Sequence, residues 1–135
     1  MLRRSSSFLA LAAAGCMQCA AAQAIQEDGP GWTESEAPPP PAVQLDRLIE
    51  VDVDRQGSLR YGIDPASLSI GQDGVVRYVM VAHSSGAMTA MYEGLRCATA
   101  DYKVYARYNA GHWTPVAAPE WVSLYASSRV LHPLA

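Results

Sequence analysis

The chain has 135 residues, half of them apolar, and a formal net charge of −3, which is enough for one ordinary domain and no more. With 10 basic against 13 acidic residues, the balance argues against nucleic-acid binding. No apolar run approaches the ~20 residues of a membrane-spanning helix.

Residues 1–24 have the three parts of an export signal. Arg3 and Arg4 give a positive start, the apolar run from Phe8 to Gly15 follows, and Ala22, Gln23 and Ala24 form an A-x-A cleavage site. The run carries no polar residue at helical spacing, as a buried amphipathic helix would. A second processing route stays open: Ala13, Ala14, Gly15 and Cys16 approximate a lipobox, although Ala13 stands where Leu is usual. Lipidation of Cys16 would tether the domain to a membrane without spanning it. Arg3 and Arg4 make only a weak twin-arginine signal, because Ser5, Ser6 and Ser7 push Phe8 and Leu9 too far away. The Cys16–Cys19 C-x-x-C spacing lies inside this targeting segment with no second pair, so it is read as neither redox nor metal motif.

Residues 25–44 are an acidic, proline-rich leader ahead of the body at 45–135. Between 25 and 54 there are eight acids and one base, Arg47, whereas 55–135 hold five acids and seven bases. The simpler reading is a solvated linker; the alternative is a leader that folds back on the body. Pro38, Pro39, Pro40 and Pro41 cannot donate backbone hydrogen bonds and favour an extended polyproline II form. The segment is therefore a stiff spacer, or a strap anchored by Trp32.

The body reads as a meander. Residues 45–54 alternate, with Ile49, Val51 and Val53 expected inward and Glu50, Asp52 and Asp54 in water, where acids discourage edge pairing. Residues 59–63 form a short strand closed by Asp64 and Pro65, and 67–70 form another. Gly71, Gln72, Asp73 and Gly74 then make a hairpin turn, since Asp and Gly tolerate positive φ. Residues 75–82 are apolar on nearly both faces, as in a central strand, and 88–97 follow after a turn at His83, Ser84, Ser85 and Gly86. Residues 102–109 alternate, with Tyr102, Val104, Ala106 and Tyr108 on one face and Lys103, Tyr105, Arg107 and Asn109 on the other. Ala110, Gly111 and His112 turn toward Trp113, and 121–131 are expected to wind as a short helix. The fold class is mainly β, with α+β as the alternative: a single curled antiparallel sheet closed by a short C-terminal helix.

The stretch 67–78 (SLSIGQDGVVRY) and the block 92–99 (YEGLRCAT), with Trp32, the proline run, Ser85-Gly86-Ala87, residues 102–106, Trp113 and Trp121, resemble the cryptic neisserial protein one-like family over about 32–125. Its members are small exported proteins or lipoproteins of β-proteobacteria with no assigned reaction. The resemblance implies a tail that runs past a His-rich turn to a cysteine, which would pair with the one matching Cys97. This chain ends at Ala135 before such a residue, so the resemblance implies a missing staple, worth about 2–4 kcal/mol. A lone Cys97 in an oxidising compartment is otherwise unusual.

Tyr92, Glu93 and Arg96 are the candidate binding residues. On a strand Tyr92 and Arg96 share a face, and Gly94 between them opens a notch where Arg96 would hold a carboxylate or phosphate. The structural alternative pairs Arg96 with a leader acid, and Glu93 with Lys103 or Arg107 across strands. His83, His112 and His132 lack ligand spacing, so no metal or cofactor is expected. Ser84 and Ser85 beside His83 lack the strained turn of a hydrolase nucleophile, so no catalytic residue is assigned. The seven tyrosines suit either a stacking surface or the core of a small sheet. The expectation is a periplasmic or lipid-anchored envelope protein that binds an unknown envelope protein or ligand, or plays a structural part, without catalysis. The alternative is an enzyme or enzyme-inhibitor subunit with a pocket at Tyr92, Gly94 and Arg96.

Overall fold

The computed structural model describes residues 31–52 and 57–126. The export signal, Cys16, His132 and Val53 lie outside the described residues. Seven strands form: β1 (Ile49–Val51), β2 (Arg60–Ile70), β3 (Val76–His83), β4 (Met88–Arg96), β5 (Asp101–Asn109), β6 (His112–Pro115) and β7 (Val122–Ser123). β1 to β6 pair antiparallel in chain order, and β7 returns to pair with β5 beside β6. The fold is the expected single antiparallel sheet, left open between β1 and β6.

β3 is the central strand that its composition predicts. Val79, Met80 and Val81 are fully buried and Tyr78 nearly so, the two sets of side chains pointing to opposite faces. On one face, Val79, Val81, Ala90, Tyr92 and Ala106 form the core cluster, with Val43, Leu48, Tyr105, Tyr108 and Trp113 packed against it. Each such buried Val contributes roughly 1.5–3 kcal/mol. Residues 31–44 run across this strap face, so the folded-back leader, not the solvated linker, is the form they take.

Four expectations are corrected. Ile49 is 54% exposed rather than inward, because β1 is a three-residue edge strand and Leu48, one position earlier, packs on the core instead. The two strands expected at 59–63 and 67–70 are one strand, β2. Its pairing with β3 slips between Asp64 and Ser69, and Pro65, which has no N–H to give, falls inside that slip. Local hydrogen bonds repair the ladder there. Ala66 N donates to Asp64 Oδ1 (2.9 Å), Ser67 Oγ donates to the Asp64 carbonyl (2.6 Å), and Val79 N donates to Ser67 Oγ (2.8 Å).

The third correction is in β5. Tyr92 pairs with Ala106 but Glu93 pairs with Val104, leaving Tyr105 as an extra, bulged residue. The alternation flips there, so Lys103, Tyr105, Ala106 and Tyr108 all serve the strap face. Finally, the described part of the expected helix at 121–131 is β7 and a turn. Val122 pairs with Tyr102, and Leu124 N donates to the Ala100 carbonyl (2.9 Å); residues 127–131 lie outside the described residues.

Ser67→Ala removes the acceptor of a fully buried N–H, that of Val79. The expected cost is about 1–3 kcal/mol, read as a lower urea midpoint at unchanged slope; an unchanged midpoint contradicts this account of the slip.

Candidate functional site

The β2–β3 turn is built by backbone rules and then recruited. Gly74 has φ +77°, Gly74 N donates to the Gly71 carbonyl (3.0 Å), and Val75 N donates to Asp73 Oδ1 (3.1 Å). That fixes Asp73 facing Arg77 four residues on. Arg77 Nη2 donates to Asp73 Oδ2 (2.8 Å) and to the Ser35 carbonyl (3.0 Å), while Ser35 N donates to Asp73 Oδ2 (2.8 Å). The indole of Trp32 donates to the Asp73 carbonyl at 2.9 Å. Both charged side chains of this pair are buried, 1% exposed for Asp73 and 3% for Arg77. Burial works against the Asp73 charge, but Arg77 and two backbone N–H groups overcome it and hold the carboxyl below its ordinary range.

Glu34 makes the second grip. Tyr105 Oη donates to its Oε1 (2.6 Å), Lys103 Nζ and Trp121 Nε1 (3.2 Å) donate to its Oε2, and Arg77 Nη2 stands 3.8 Å from Oε1. Desolvation again opposes the charge and is outweighed by Lys103, Tyr105 and Trp121, so the Glu34 carboxyl also sits below its usual value. The Tyr105 hydroxyl is pushed up by burial and by donating to Glu34. The Arg96 guanidinium lies 3.7 Å from the centroid of the Trp32 ring and 5.5 Å from that of Trp121, a cation–π stack that closes this end of the strap.

Further along, Trp113 Nε1 donates to the Pro41 carbonyl at 2.9 Å. Tyr92, Tyr105, Tyr108 and Trp113 form a run of ring contacts, with centroids 5.5 Å apart for Tyr92–Tyr105, 6.5 Å for Tyr92–Trp113 and 5.2 Å for Tyr108–Trp113. Pro38, Pro39 and Pro40 line, together with Tyr92, Tyr105 and Trp113, an open cleft of about 410 Å³.

The candidate residues Tyr92, Glu93 and Arg96 are not brought together. Tyr92 belongs to the buried core cluster, whereas Glu93 is fully buried on the far face, where Tyr78 Oη donates to its Oε2 at 2.9 Å. Burial and that carboxylate push the Tyr78 hydroxyl up. The Gly94 notch is real but filled from within: a Cβ there would collide with Tyr105 and come within 2.9 Å of Val75 Cγ1. Glu34 of the leader is held by Lys103, which the β5 bulge puts on the strap face, and Glu93 accepts from Tyr78. Cys97 is exposed and its thiol is free. Among the described residues, no group of three or more His, Cys, Asp or Glu is placed to hold a metal, and no helix is long and apolar enough to cross a membrane.

The sequence reading missed Glu34, Asp73, Arg77 and Trp121 as one network. Its one visible signal was the Asp73-x-x-x-Arg77 spacing across a tight turn, beside an acid-rich segment containing Trp32.

The molecule is thus an open antiparallel sheet covered on one face by its own proline-rich strap, which two carboxylates latch down. A family model described as the CNP1-like family matches residues 27–134. The chain belongs to that family. Comparison with curated proteins gives no match, and comparison with solved structures gives none.

The latch sets a pH dependence. Both carboxyls have folded values below their unfolded ones of about 4.3 for Glu and 3.9 for Asp, so near pH 4 the unfolded chain binds more protons. Stability therefore rises with pH there, is full above about pH 5, and is lost as pH falls through the folded values. Urea midpoints between pH 3 and 7 should follow this course, and Glu34→Gln should flatten part of it. Asp73→Ala, which strands the buried Arg77 charge, should cost about 3–5 kcal/mol at pH 7; a midpoint curve without slope below pH 5 contradicts the latch.

Proposed function

We propose that this is a small exported cell-envelope protein that acts as a non-catalytic binding or structural module. The observation that carries the non-catalytic part is where the charges are spent. Glu34, Asp73, Arg77 and Lys103 are committed to one another and to the strap, each held by short, directed hydrogen bonds. A carboxylate held low by a buried guanidinium is a poor proton carrier near neutral pH. The reading of an enzyme or inhibitor pocket at Tyr92, Gly94 and Arg96 is the weaker one, since Tyr105 fills the notch and Arg96 is stacked on Trp32.

Export is supported by the positive start, apolar run and A-x-A site of residues 1–24. Membership of the family is compatible with it but carries no address of its own. The localisation is periplasmic, with a lipid-anchored form at Cys16 as the alternative, and the partner is an envelope protein or ligand. Fractionation of cells making the full chain, followed by intact mass of the product, tests this. A periplasmic product lacking residues 1–24 is expected, and a membrane-bound one starting at an acylated Cys16 selects the anchored form. An uncleaved chain in the cytoplasm overturns the reading.

A further inference from the structure

We propose that the aromatic groove of Tyr92, Tyr105, Tyr108 and Trp113 is a recognition site for proline-rich, extended polypeptide, and that Pro38–Pro41 of the strap occupy it as a built-in competitor. The groove displays its ligand chemistry directly. Tyrosine rings and an indole stand in a row of contacts, prolines line the same cleft as three of them, and the indole N–H donates 2.9 Å to the carbonyl of Pro41. This combination is how polyproline II segments are read: flat rings receive the pyrrolidines, and one donor takes a carbonyl that a proline-rich chain cannot satisfy internally. Such a ligand is pre-organised and loses little entropy on docking.

Two features make the occupant exchangeable. The charged grip on the strap lies upstream of the prolines, at Glu34 and Ser35, with Tyr105 shared between that grip and the groove. The proline segment itself is held by the Trp113 indole and by packing, and it leaves an open cleft of about 410 Å³ against the rings. Space therefore remains between the proline segment and the rings. A covalently attached strap competes at an effective concentration on the order of millimolar, so an outside segment gains access when the Glu34 latch loosens. The inference rests on the non-catalytic binding reading. Fractionation tests export separately, so an exported chain that ignores proline-rich peptide refutes only the groove.

The test uses the full chain and a fluorescently labelled peptide of residues 36–44 of this sequence. By anisotropy, the Glu34→Gln chain should bind the peptide about tenfold more tightly than the unsubstituted chain, because the competitor is released for a larger fraction of the time. The peptide with all four prolines replaced by Ala should not bind, and Trp113→Phe combined with Glu34→Gln should lose most of the affinity. If Glu34→Gln fails to fold by circular dichroism, Pro39→Ala in the strap weakens the competitor instead, with the same expectation. Three results overturn the proposal: no binding to a folded, competitor-weakened chain at millimolar peptide; equal binding of the alanine peptide; or a concentration-dependent doubling of mass without peptide binding, which assigns the groove to the strap of a second copy.

Discussion

A guanidinium taken out of water has to be answered, and Arg77 is 3% exposed in the middle of the sheet. Its answer comes from Asp73, four residues earlier, and from the backbone of Ser35, more than forty residues earlier in the chain. The turn, the central strand and the leader are thereby tied at a single point. Asp73 is held in its turn by Gly74 and Val75, Ser35 is held by Asp73, and Glu34 is brought within reach of Lys103, Tyr105 and Trp121. Removing the arginine's partner would leave a buried charge. Removing both would leave the upstream end of the strap to the Glu34 grip and the Trp32 contacts.

The β5 bulge is the geometric condition for that arrangement. A regular strand would alternate Tyr105 with Lys103 and Arg107 against Ala106. The single extra residue lets Lys103, Tyr105 and Ala106 reach the same face. Gly94 opposite is needed for the same reason, since the Tyr105 ring lies where any side chain would begin. Bulge and glycine are complementary, one delivering a ring and the other vacating its place.

Much of the fold was legible because its signals are local. The apolar run of residues 75–82, the Asp73-Gly74 turn and the Ala110-Gly111 turn each depend on neighbours along the chain. In the last of these, φ of +50° and +84° makes the two-residue reversal. The errors fall where a distant partner decides. Pro65 looks like a strand end until Ser67 Oγ supplies the missing acceptor to Val79, and Tyr105 looks outward until the slip against Glu93 is known. The candidate site was missed for the same reason. Trp32 and the proline run were visible as a strap, but nothing near them in sequence names Asp73 or Tyr105 as their seats.

The distances along the chain also impose an order of events. Glu34 is 69 residues from Lys103, 71 from Tyr105 and 87 from Trp121. A chain made from its N-terminus therefore has its strap long before anything exists to receive it, and the latch cannot be complete until residue 121 has emerged. Contacts this far apart carry a large loop-closure entropy, the kind of contact that slows folding. Four successive prolines suit the wait: a segment with no amide hydrogens over that stretch cannot be drawn into the ladder of a growing sheet as a misplaced strand.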